Sequence, residues 1–261
     1  MTVLTNRIAH LDWTRIATAL DSEGHALLPG ILCAAQVQAL RSQISNPLSG
    51  PINDPLLRPV SLTEAGLGRG RMFFFDNRLP DILAVLRAQL YRHLAPIANH
   101  WNQLLGLAYR YPGTLERFLQ ANRHAAQRRQ LSHLHLLREA DYIALHQHKD
   151  GELAFPLQAV MLLSEPGRDF SGGELVMTEQ RPRMQSRPLV LSLRQGDIAI
   201  LSSGHRPVKG SKGFYRVNMK HAISRIRGGQ RIGLALIFHH APADDERDPH
   251  EQGTLLDLDR P

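Results

Sequence analysis

Cysteine is nearly missing from this sequence. Among 261 residues Cys33 stands alone, so no disulfide can form within the chain, which fits a reducing compartment. Long apolar runs are missing too. No stretch approaches the roughly 20 residues that a membrane-spanning helix needs, so no membrane association is expected. The opening residues MTVLTNRIAHLDW carry no basic segment leading into an apolar run, and no secretory leader is expected. A cytoplasmic location follows as an expectation. There is also no phosphate-binding glycine loop, no Cys-x-x-Cys pair and no internal repeat. P-loop nucleotide chemistry and paired-thiolate zinc sites are thereby excluded.

What is present suits a folded chain. Apolar residues make up 43% and charged residues 21%, ordinary values for a globular protein. The length allows one large domain with a substantial core. Lys and Arg outnumber Asp and Glu by 31 to 24, a net charge of +7. That excess permits an acidic partner such as nucleic acid, and it is equally compatible with ordinary surface charge.

The first 130 residues read as mostly helical. Trp13, Ile16, Ala17 and Leu20 recur at helical spacing, with Gly24 just beyond. Residues 34–44 form a second candidate, and 46–71, rich in Asn, Pro, Gly and Ser, read as a long loop. Leu83, Leu86, Leu90, Leu94, Ile97 and Trp101 make the clearest amphipathic stripe, interrupted by Pro96. A further helix is predicted over 114–127. From Leu134 the pattern changes to short apolar runs at 142–148, 157–163, 173–178, 189–193, 197–201, 218–223 and 232–238, separated by Gly, Pro, Asp and Ser. Seven or eight such strands predict an antiparallel sandwich or barrel. The expectation is an α+β protein of jelly-roll type. Residues 1–133 form a helical part packed on the sheet, 134–241 a β-core and 242–261 a polar tail, all in one structural domain.

The segment LHQHKDGE places His146, His148 and Asp150 at alternate positions. In an extended strand these would share one face. A His-x-Asp strand joined by a later histidine is the 2-His-1-carboxylate arrangement of non-haem iron oxygenases, which leaves part of the metal's coordination sphere open. His221, on a late predicted strand, is the distal candidate. Arg231 follows ten residues on, and its guanidinium could bind a carboxylate bidentately. The plain alternative is a set of solvated strand histidines with a surface arginine.

Together the segments AYRYPGTLERFL, DYIALHQHKDGELAFPLQAVMLLSEPGRDFSGGELVMTEQRPRMQSR, RPVKG and HAISRIRGGQRIGLALIFHHA, with the Gly196-Asp197 turn, resemble the Fe(II)- and 2-oxoglutarate-dependent dioxygenases. The likeness is to their bacterial prolyl-4-hydroxylase-like group and runs from about Tyr109 to Ala241. DSEGHALLPGILCAAQVQALR also looks like that superfamily's lead-in helices.

The resemblance implies a distorted double-stranded β-helix, cupin-like, with supporting N-terminal helices. It implies Fe(II), 2-oxoglutarate as cosubstrate and O2, with hydroxylation of a substrate and release of succinate and CO2. Arg231 would hold the distal carboxylate of 2-oxoglutarate, with Tyr142 a second contact or a packed aromatic. Relatives often carry serine two positions after this arginine, where this chain has Gly233, so a hydroxyl partner is absent or supplied elsewhere.

Two ligand registers remain open. The motif favours His148, Asp150 and His221. Gapless comparison with relatives carrying His-Gln-Asp-Leu-Tyr-Gly over 146–151 instead selects His146, His148 and His221. Gly172-Gly173-Glu174 would lie near the metal. Arg183 and Arg187 in one basic loop, and Arg206 in a second, could border the pocket and contact substrate. Three functions stay open: hydroxylation of a protein side chain such as proline or of a small molecule, oxidative demethylation of nucleic acid, and a metal-binding jelly-roll module without turnover.

Overall fold

A computed structural model describes residues 2–49, 57–76 and 78–243. The chain opens with α1 (Thr2–Ala9), α2 (Trp13–Glu23), β1 (His25–Leu28) and α3 (Ala34–Ser49). Strands β2 (Leu57–Ser61), β3 (Gly68–Arg69) and β4 (Arg71–Phe75) precede the long α4 (Asp81–Leu104) and α5 (Leu115–His124). Next come β5 (Gln127–Gln130), β6 (His133–Arg138), β7 (Tyr142–His146), β8 (Leu157–Leu162), β9 (Phe170–Gly172) and β10 (Leu175–Gln180). The chain continues through β11 (Arg187–Leu191), β12 (Ile198–Ser202), β13 (His205–Gly210), β14 (Gly213–Ile223), β15 (Ile226–Ile237) and β16 (His240–Pro242).

Local chemistry sets the helix ends. Asp12 accepts the backbone N–H of Arg15 to cap α2, and Thr114 does the same for Arg117 at the start of α5. The stripe from Leu83 to Trp101 lies on α4, which runs on through Pro96, and all six of its apolar side chains are buried.

Two antiparallel sheets face each other. The larger runs β1-β12-β8-β15-β6-β4-β2, with β9 also paired to β15; the smaller runs β11-β10-β14-β7-β3, with β13 paired to β14. Alternation along the strands divides the core. Leu157, Ala159 and Met161 of β8 join the helices, while Val160 and Leu162 pack against Leu175, Met177, Val217 and Met219 of the smaller sheet. The interior between the sheets is therefore reached by every second residue of β6, β8, β15, β10 and β14. This is the expected α+β jelly-roll architecture.

Two local readings change. The loop predicted over 46–71 holds the end of α3 together with β2 and β3, and residues 50–56 lie outside the described residues. The basic segment HRPVKGSKGFYR is the β13–β14 hairpin, with Arg206 opposite Val217 and Lys209 opposite Phe214. N-terminal strands thus enter both sheets: β1, β2 and β4 the larger, β3 the smaller. From residue 244 the polar tail lies outside the described residues. Among the described residues no helix is long and apolar enough to cross a membrane.

Candidate metal centre

His146 closes β7 and sits directly opposite His221 of β14, their ring centroids 4.2 Å apart. His148 lies just past the strand end, where its backbone N–H donates to the Ser203 carbonyl at 3.0 Å. Its ring stands 4.9 Å from that of His146 and 5.3 Å from that of His221. One ring nitrogen from each of the three falls within 4.8 Å of the others.

Asp150 does not join this group. The period-two argument needs a continuous strand, and β7 ends at His146. Asp150 is exposed, beside Gly151 at φ +88°. Capture of His148 by Ser203 turns the chain, so the His-x-Asp pair favoured by spacing is not the pair whose donors converge.

Burial sets the charge state. His148 and His221 are 9% and 5% exposed, and burial holds both imidazoles well below the ordinary range. Burial likewise lowers His146, whose Nδ1 donates to the Ala144 carbonyl at 2.9 Å. That bond leaves its Nε2 lone pair free for a metal. His148 Nε2 is buried without a hydrogen-bond partner. Three neutral imidazoles with an orphaned ring nitrogen suit a divalent first-row metal.

Neighbouring amides hold these rings in place. The Gln147 amide reaches the Gly204 carbonyl at 2.8 Å, Asn218 Oδ1 at 2.6 Å and the Met219 carbonyl at 2.8 Å, tying the ligand segment to the β13–β14 hairpin. Gln158 Nε2 lies 3.3 Å from His221 Nε2. Sequence reading passed over both glutamines, which differ from solvated glutamines only in tertiary setting.

Arg231 is 1% exposed. Burial pushes it down to about 10, opposed by Glu174, so it stays cationic at neutral pH. Its Nη1 donates to His135 Nε2 at 2.8 Å, and its guanidinium lies 5.8 Å from the Phe170 ring centroid. A cavity of about 340 Å³ lined by Leu162, Gly173, Leu175, Leu191 and Leu193 reaches Arg231. None of the three histidines lines it. Gly173, at φ +64°, would bring a Cβ within 2.9 Å of Arg231 Cδ, so the Gly-Gly-Glu segment backs directly onto the arginine.

Tyr142 is 41% exposed; the residue bonded to Arg231 is His135. His133 and His135 were missed in the sequence, although His-x-His on a strand carries the same alternation as His146 and His148. The basic residues divide. Arg183 is exposed at φ +61°. With Arg181, His205, Arg216 and Asn218 it lines a cavity of about 300 Å³. Arg187 is exposed, 4.0 Å from Glu23. Arg206 corrects the expectation of a rim residue: it is 3% exposed, ion-paired with Glu179 and donating to the Asp21 carbonyl at 2.8 Å.

Known proteins resemble this chain in family and in fold. The model of the Oxygenase-NA family, described as "Oxygenase, catalysing oxidative methylation of damaged DNA", matches residues 70–241. Two uncharacterized proteins of Mycobacterium tuberculosis, from strains CDC 1551 and H37Rv, are each 38% identical over 188 residues, covering 70% of this chain and 81% of the relative. The fold is similar to that of a Pseudomonas putida prolyl-4-hydroxylase, with TM-score 0.51, 14% identity, 88% of this chain and 100% of that one. A Burkholderia pseudomallei oxidoreductase of the 2OG-Fe(II) oxygenase family gives TM-score 0.51 at 17% identity, covering 89% and 94%. The chain belongs to the Oxygenase-NA family, and its fold is similar to that of 2OG-Fe(II) oxygenases.

Proposed function

We propose that this oxygenase acts on damaged DNA, holding Fe(II) on His146, His148 and His221 and the distal carboxylate of 2-oxoglutarate on Arg231. The observation that carries the reading is the convergence of three neutral imidazole nitrogens within 4.8 Å. When bound, Fe(II) with 2-oxoglutarate and O2 supplies hydroxylation of a substrate C–H bond, and 2-oxoglutarate leaves as succinate and CO2.

Charge supports a dianionic cosubstrate. The ligand set brings no carboxylate, and Arg231 adds a buried cation. A divalent metal raises the positive charge further, and buried charge needs a partner. A dianionic cosubstrate would offset this charge.

The DNA reading draws on the family description and on a basic edge beside the ligand segment. Exposed Lys149 adjoins His148, and Arg183 and Arg216 line the neighbouring cavity with His205. Cations spaced along a strand end can follow a phosphate backbone. These cations favour nucleic acid over a protein side chain or a small molecule.

The test measures succinate from Fe(II)-loaded full-length protein with 2-oxoglutarate and single-stranded oligonucleotides. Methylated-base oligonucleotides should raise succinate release well above unmodified ones. Succinate that rises with a proline-containing peptide and not with methylated DNA would overturn the DNA reading.

A further inference from the structure

Gly233 sits between two groups that leave it no side chain. A Cβ there would lie 2.1 Å from His135 Nε2 and 2.7 Å from Arg231 Nη1. The register explains why, since Gly233 of β15 pairs with His135 of β6 on one side and Leu162 of β8 on the other. The space that a side chain would fill is taken by the imidazole of the facing strand. Glycine is what lets His135 reach the guanidinium.

The hydrogen bond between them fixes the tautomer. A guanidinium only donates, so His135 Nε2 accepts from Arg231 Nη1 and the ring proton resides on Nδ1. His135 is 3% exposed, and its Nδ1 is buried with no partner. Arg231 Nε is likewise buried and unpartnered. Two adjoining residues thus hold back one N–H donor each. Buried donors are seldom left unsatisfied, and each such case calls for an explanation. On the same inward face, His133 lies 6.2 Å from His135 and 5.4 Å from His148, ring to ring. A row of imidazoles leads from the metal ligands to Arg231.

We infer that His135 is a cosubstrate-positioning residue: its Nε2 holds the Arg231 guanidinium where the distal carboxylate of the 2-oxo acid is received, in place of a hydroxyl that Gly233 cannot offer. The inference rests on the proposed 2-oxoglutarate dependence. A guanidinium held by a neutral ring acceptor receives the second carboxylate that 2-oxoglutarate has and 2-oxo monoacids lack. Loss of His135 weakens binding of the distal carboxylate alone.

The test is anaerobic calorimetry of 2-oxoglutarate and of pyruvate binding to the Fe(II)-loaded full chain. Pyruvate shares the metal-chelating 2-oxo acid group and lacks the distal carboxylate. His135→Ala should weaken 2-oxoglutarate binding at least tenfold and leave pyruvate within about twofold. Gly233→Ser alone should also weaken 2-oxoglutarate binding, by displacing the imidazole. The double variant His135→Ala/Gly233→Ser should recover most of the lost affinity, because a hydroxyl then fits where the ring stood. Equal 2-oxoglutarate affinity in wild type and His135→Ala would overturn this inference and leave the cosubstrate assignment standing. Equal loss for both acids would also overturn it, by making His135 a support of the fold. Failure of wild type to bind 2-oxoglutarate would remove the cosubstrate assignment and this inference together.

Discussion

His146 and His221 face each other across neighbouring antiparallel strands, their ring centroids 4.2 Å apart. Strand pairing places them there, and only His148 depends on how the chain leaves β7. The Ser203 carbonyl turns the chain there, and Gln147 braces the same segment through Gly204, Asn218 and Met219.

Gln147→Leu should therefore lower metal affinity by about tenfold, the usual scale for groups that orient ligands, with the fold retained. Competition titration against a chelator measures it. Unchanged affinity would show that Ser203 alone holds His148.

The Arg206–Glu179 pair is buried on both sides, at 3% and 4% exposed, and Arg181 adds a second contact to Glu179 at 2.7 Å. Removing one charge strands the other. Glu179→Gln should cost about 3 kcal/mol of stability, measured as a shift in the urea midpoint. A shift below about 0.5 kcal/mol would place this pair with exposed ion pairs instead.

The metal-free protein should lose stability in mild acid. Burial pushes His239 down to about 3 and His133 down to about 4. The Phe155 N–H donates to His239 Nδ1 at 3.1 Å, and a proton there would break that bond. Below an unfolded value of about 6.5 the unfolded chain takes up protons that the folded chain refuses. Stability then falls as pH drops from about 6.5 toward 4, by up to about 1.4 kcal/mol per unit for each such group. Above about pH 7 these groups contribute no slope. A urea midpoint that stays flat between pH 7 and 5 would contradict this.

If the basic edge follows a phosphate backbone, replacing Lys149, Arg183 and Arg216 together by Ser should weaken binding of single-stranded oligonucleotides. The slope of log affinity against log salt should flatten by roughly two. Fluorescence anisotropy over a salt series reads both effects. A parallel loss with the slope unchanged would mean that these residues contact no phosphate.

Periodicity carried much of the architecture. The α4 stripe and the runs on β7, β8, β10, β11, β12, β14 and β15 were all legible, because one buried face imposes a regular repeat. β13 was not, because its Pro207, Lys209 and Gly210 read as turn chemistry while pairing with β14 made it a strand. Within the site, His148, His221 and Arg231 were named from spacing. Choosing between Asp150 and His146 depended on where β7 ends, and that is set by the Ser203 carbonyl, far away in sequence. His135 escaped notice for a similar reason, since its meaning comes from lying opposite Gly233.

Anaerobic titration of Fe(II) and 2-oxoglutarate followed by visible absorption tests the proposed three-histidine metal site. The charge-transfer band expected of chelated 2-oxoglutarate should vanish in His146→Ala and His221→Ala, and survive in Asp150→Ala. In His148→Asp, which restores a carboxylate ligand, it should persist. A band that survives His146→Ala and disappears with Asp150→Ala would contradict the account and return the site to His148, Asp150 and His221.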